Sequence, residues 1–66
     1  MFGNKDKKRF KEIYKESIGM YKIVVDMETG VNYILCTKGD GISLTPLIDQ
    51  NGNIKIFDEY ELRELQ

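Results

Sequence analysis

The chain has 66 residues, with ten Lys or Arg against eleven Asp or Glu, and no His. That length allows a single domain, 1–66, and so short a chain buries only about 60% of its unfolded surface, which leaves its stability marginal. One Cys excludes an internal disulfide, and one Cys without His excludes the usual zinc sites; of the common supports for a small domain, a partner subunit remains.

Charge is spread unevenly. Residues 1–22 hold seven Lys or Arg and three acids, so the head is basic, whereas the remainder of the chain is acidic. Residues 1–8 are polar and charged and are expected to fray. They run into Phe10-Lys-Glu-Ile-Tyr-Lys-Glu-Ser17 rather than an apolar core, so no secretory signal is expected. No apolar run approaches the roughly 20 residues of a membrane span, and a lone thiol suits a reducing cytoplasm. Lys5, Lys7, Lys8, Arg9 and Lys11 are the candidate contacts if the protein binds nucleic acid. A pI near 5.3 speaks against that reading, since nucleic-acid-binding domains are usually strongly basic.

Residues 9–18 fit two patterns. Phe10, Ile13, Tyr14 and Ile18 share a helical face, with Gly19 as a stop signal. As a strand, the same segment puts Phe10 and Tyr14 on one side with Glu12 and Glu16 beside them. The helical pattern fits slightly better and would give an α+β fold.

The next two elements form a hairpin. Tyr21, Ile23 and Val25 alternate with Lys22, Val24 and Asp26, and Val31, Tyr33 and Leu35 alternate with Asn32, Ile34 and Cys36. Their β-branched and aromatic content suits a pleated, packed surface. Asp26 and Thr29 offer side-chain oxygens to the turn amides, and Gly30 is predicted to take the positive φ that lets the chain re-enter a strand.

Lys38 to Ser43, with Gly39, Asp40 and Gly41, reads as a loop. Leu44, Leu47 and Ile48 form an apolar run broken by Pro46, which places that strand at an edge or a bulge. Asp49-Gln-Asn-Gly-Asn53 is a tight turn, and Ile54 to Phe57 a returning strand. Asp58 and Glu61 have capping-box spacing, so a helix of one or two turns is predicted in the tail 58–66.

Three segments together resemble a small family of bacterial proteins of unknown function. They are Arg9-Phe10, Lys22-Ile-Val-Val-Asp-Met-Glu-Thr-Gly-Val-Asn-Tyr33, and Leu44-Thr-Pro-Leu-Ile-Asp49 with Gly52. The D-x-E-T-G-V-x-Y order is the distinctive part; relatives commonly carry more glycine where Ile42-Ser43 stands here. The resemblance covers roughly residues 9–57 and implies no activity. It does imply a first strand at 9–16. The expected fold is therefore mainly β: a small antiparallel meander of four to five strands with a short C-terminal helix.

Tests for chemistry return little. Cys36 and Ser43 have no His to activate them, and Cys36 is in phase with Ile34 as a packed thiol. Asp49 to Asn53 has its glycine at the fourth position rather than the sixth that an EF-hand needs. Gly39-Asp40-Gly41 lacks the Lys of a phosphate loop. Asp26, Glu28, Asp40 and Asp49 fall in turns, where carboxylates commonly bond amides. Tyr21 and Tyr33 are in phase with apolar neighbours and read as core rather than as a stacking platform. No catalytic residue, cofactor or metal is expected. What remains is apolar residues on both sides of the hairpin. Val24, Ile34 and Cys36 are expected to form a second apolar patch, covered either by Leu62 and Leu65 of the tail or by a second copy in a homo-oligomer, most simply a dimer.

Overall fold

The computed structural model describes residues 8–66, so Lys5 and Lys7 lie outside the described residues. Four strands follow one another in the chain and in space: β1 (Phe10–Glu16), β2 (Tyr21–Asp26), β3 (Asn32–Lys38) and β4 (Gly41–Pro46). Every neighbouring pair is antiparallel. The sheet is therefore a simple meander, followed by one helix, α1 (Glu59–Glu64).

Residues 9–18 are not helical. Phe10 to Glu16 pairs with β2, with a bulge between Glu12 and Tyr14 that takes up Ile13 as an extra residue. The helical alternation of this segment yields to a pairing partner that a helix would not have. The turn that follows, residues 17–20, holds Ser17 and Ile18 at positive φ (55° and 56°), a mirror-image turn closed by Gly19 N–H to Glu16 O.

Lys38 to Ser43 is not an open loop either. Lys38 pairs with Gly41, so only Gly39 and Asp40 make the turn, and Ile42 and Ser43 belong to β4. Gly39 supplies the positive φ (59°) that a two-residue turn needs.

Register decides which side chains share a face, because directly opposed residues project to the same side. Tyr21 faces Cys36, Ile23 faces Ile34, and Val25 faces Asn32. Val24 instead faces Tyr33, and Lys22 faces Leu35. One face thus carries Tyr14, Tyr21, Ile23, Val25, Ile34 and Cys36. The other carries Phe10, Val24, Tyr33, Leu35, Ile42 and Leu44. The expected patch of Val24, Ile34 and Cys36 is split between opposite faces. The cause is the turn: Asp26 N–H donates to Val31 O at 2.9 Å, so an even-numbered residue of β2 opposes an odd-numbered one of β3.

The fourth strand is interrupted and then resumes. Leu47 N–H donates to Asn32 O (2.9 Å), Asn32 N–H to Lys55 O (2.9 Å), and Lys55 N–H to Leu47 O (2.7 Å). Leu47 and Lys55 together sit opposite Asn32, as the paired residues of a bulge do, with residues 48–54 looped out between them. That excursion is a miniature hairpin bridged at Ile48 and Ile54. Its tip is the predicted turn: Asp49 Oδ1 accepts from Asn51 N (2.8 Å) and Asn53 N (3.0 Å). Beyond it, Ile56 bridges Val31, so the expected fifth strand is a continuation of the fourth.

The tail forms as its sequence predicts. Asp58 caps α1 by accepting from Glu61 N at 2.8 Å, and Glu61 returns a carboxylate to Asp58 N at 2.9 Å. This reciprocal box satisfies amides that a helix start leaves free.

The sheet has one layer, and the shortest dimension of the molecule is 17 Å. Among the described residues, Val25 is the one large apolar side chain fully buried. Exposed apolar side chains include Phe10, Tyr14, Ile42, Leu44 and Ile56.

Candidate functional site

The most tightly organised part of the molecule lies where β1 begins and β2 turns into β3. Asp26 is its centre and is only 3% exposed. Arg9 Nε donates to Asp26 Oδ1 and Arg9 Nη2 to Oδ2, both at 2.9 Å. This two-pronged geometry is the one in which guanidinium matches carboxylate best. Glu28 N–H adds a third bond to Oδ1 at 2.9 Å, and the Glu28 carboxylate stands 3.7 Å from Arg9 Nη1. The Arg9 guanidinium holds the Asp26 carboxyl well below the usual carboxylate range; burial pushes the other way and is outweighed.

The turn closes around this pair. Gly30 N–H donates to Asp26 O (2.6 Å), and Val31 N–H to Thr29 Oγ1 (3.2 Å). Gly30 has φ 85°, as expected, and a Cβ built there would lie 2.1 Å from Phe57 O. Phe57 N–H in turn donates to Gly30 O at 2.8 Å. The absent side chain at Gly30 is thus what admits the resumed fourth strand. Asn32, 1% exposed, sits beside it and donates from Nδ2 to Gly30 O at 3.1 Å. Phe10 meets Tyr33 edge to face at 6.4 Å between ring centroids, and Arg9 lies 5.7 Å from the Phe10 centroid.

This clasp of Arg9 on Asp26 accounts for two of the three segments that carry the family resemblance. Arg9-Phe10 and D-x-E-T-G-V-x-Y are far apart in sequence and meet here in one constellation. Each member has a structural task. Asp26 has both oxygens engaged by Arg9.

The basic segment is divided by this arrangement. Lys8 and Lys11 are exposed, whereas the Arg9 guanidinium is committed to Asp26 and Glu28. All three line an open groove of about 750 Å³ with Glu12, Met27 and Leu65. Leu65 therefore stands at the end of β1, not over Ile34 or Cys36. No residue of α1 is fully buried, and the tail meets the sheet beside the start of β1. Leu62 and Leu65 are half-buried at that end. Ile34 lines a second, smaller hollow of about 220 Å³ with Tyr14, Tyr21 and Ile23. Cys36 is half-buried on the same face, and Val24 lies on the opposite one.

Among the described residues, no three Cys, Asp or Glu side chains converge as metal ligands, and no helix is long and apolar enough to cross a membrane. Periodicity in the sequence does not reveal the Arg9–Asp26 pair. An acid at the end of an apolar strand, placed just before a turn, is the signal that points to it.

No curated protein and no solved structure gives a significant match to the chain. The model of one protein family does match, over residues 9–57, a span that holds the clasp, the meander and the resumed fourth strand, and the chain belongs to that family, the family of unknown function DUF6440.

Proposed function

We propose that this is a small non-catalytic protein that acts by associating with itself. The observation that supports the reading is the single-layer sheet. An apolar sheet face calls for a second layer, and an open sheet edge calls for a further strand. Here the tail lies at one end, and Val25 is the one large apolar side chain fully buried among the described residues. Burying a Leu or Ile side chain contributes about 1.5–3 kcal/mol, a large share of the stability of so short a chain. A reducing bacterial cytoplasm suits the lone thiol of Cys36.

Light scattering across a dilution series tests the reading. The expected mass at high concentration is a multiple of the 7.7 kDa chain, falling on dilution. A mass of 7.7 kDa at every concentration down from millimolar refutes it. The nucleic-acid alternative has a separate signature. Its affinity would fall steeply with salt as counterions are released, and Lys8→Ala with Lys11→Ala would weaken it. No such binding is expected at physiological salt.

A further inference from the structure

The sheet has two edges, and they differ in charge and in continuity of register. The β1 edge carries Lys11, Glu12, Lys15 and Glu16 and is broken by the bulge at Glu12/Tyr14. Charges and bulges are the devices by which edge strands avoid adding a neighbour. The β4 edge is Gly41-Ile-Ser-Leu-Thr-Pro46, with no charge and an unbroken register against β3. Every residue of β4 is exposed, Ile42 at 74% and Leu44 at 56%.

The direction of the free backbone groups on β4 follows from the pairing. Leu47 N–H bonds to Asn32 O, and the same register runs back through Tyr33↔Pro46 to Lys38↔Gly41. In an antiparallel ladder, bonded and non-bonded pairs alternate. Gly41, Ser43 and Thr45 therefore bond inward to β3, while Ile42, Leu44 and Pro46 turn their backbone groups outward. Pro46 occupies an outward position, where its missing N–H removes nothing from the ladder of its own subunit.

We infer that the β4 edge is the seam at which a second copy of this chain joins, antiparallel and about a two-fold axis at Ser43. The inference rests on the self-association reading and names its contact. In this register Ile42 of one subunit opposes Leu44 of the other. Each such pair exchanges both of its N–H···O bonds, and Ser43 meets its own copy at the axis. The Ile42 and Leu44 side chains of both subunits then fall on one face and extend the apolar strip of Tyr33 and Leu35. Beyond that pairing Pro46 offers a carbonyl but no N–H, which limits the seam and disfavours the register that would pair Ile42 with Pro46.

Charge distribution favours this seam over stacking through the face that carries Ile42 and Leu44. The face that carries Ile42 and Leu44 also carries Glu12 and Lys22, 3.6 Å apart, and Lys15. Stacking on that face would take these charges out of water, a heavy penalty for groups so loosely paired. Joining at β4 leaves them at the far rim of the combined sheet. The neutral edge brings no like charges together at the axis.

Amide hydrogen exchange, read beside light scattering, tests the seam. Ile42 and Leu44 amides are expected to exchange at least about tenfold more slowly at concentrations where the protein is associated than where it is dissociated. The Leu44→Pro substitution removes one outward donor, as Pro46 already does. It should shift the association midpoint upward by tenfold or more, whereas Leu44→Thr, which keeps the N–H, should retain association. An associated wild type with unprotected Ile42 and Leu44 amides overturns the seam and leaves self-association standing, as does association unmoved by Leu44→Pro in a folded protein. A wild type that is monomeric at every concentration overturns both, including where a foreign extended peptide protects the same amides.

Discussion

The two ends of the β2 strand are held in opposite ways. At its C-terminal end, Asp26, Gly30 and Asn32 are tied to Arg9, Lys55 and Phe57, residues distant in the chain. At its N-terminal end the β1–β2 turn is held by local bonds, Gly19 N–H to Glu16 O and Met20 N–H to Ser17 O, both at 3.1 Å. There Ser17, Ile18 and Gly19 all have positive φ, and Ile18 is fully exposed. A β-branched residue in that region is strained. One end spends polar groups on long-range order, and the other tolerates strain because nothing packs on it.

The largest expected effect is at Gly30. Gly30→Ala and Gly52→Ala both place a side chain at nearly equal φ, 85° and 84°. Only Gly30 faces a backbone oxygen, Phe57 O; nothing lies within 4 Å at Gly52. Gly52→Ala should cost about 1–2 kcal/mol, the ordinary left-handed penalty. Gly30→Ala should cost more than about 4 kcal/mol, and Gly30→Val should prevent folding. Denaturant melts of the paired variants isolate the close approach, and equal losses at the two sites would remove it from the account.

The next effect concerns Asp26 and pH. Its folded pKa is depressed by Arg9, so its contribution is fully present above the unfolded value of about 3.9 and is lost as pH falls through the folded value. Urea midpoints should therefore drop as pH is lowered below about 4. In Asp26→Asn the midpoint should be lower at neutral pH, and this part of the acid slope should vanish. An unchanged slope would mean that other carboxylates carry it.

The smallest effect has the opposite sign. Ile18→Asn puts a residue that tolerates the left-handed region into the open turn, and should stabilise by up to about 1 kcal/mol. A loss at this site would show that Ile18 makes contacts that its exposure conceals.

Much of this contrast is legible in the sequence. The alternation of β2 and β3, the turn residues of Asp26 to Gly30, the edge position of Pro46 and the Asp58 cap all follow from local chemistry, and each is where that chemistry puts it. The face assignment is not legible. Both parities of β3 are apolar, with Tyr33 and Leu35 on one and Ile34 and Cys36 on the other. Alternation alone then leaves the register open, and a one-residue change in turn length exchanges the faces. The Arg9–Asp26 pair is hidden for a different reason. It links residues on neighbouring strands, and no periodicity within either strand records it. The helical pattern of residues 9–18 misleads because a bulge at Ile13 breaks the strand alternation.

The interrupted fourth strand has a consequence for the order of folding. Each hairpin of the meander closes a short loop, so β1 to β4 can zip in sequence with little entropy lost at any step. The pairing of residues 30–32 with 55–57 is different. It closes the longest loop in the sheet, a loop that shortens once β4 has delivered Leu47 to Asn32. It should therefore come late, after the rate-limiting step, so that weakening the contact between Phe57 and Gly30 would speed unfolding and leave the folding rate nearly unchanged.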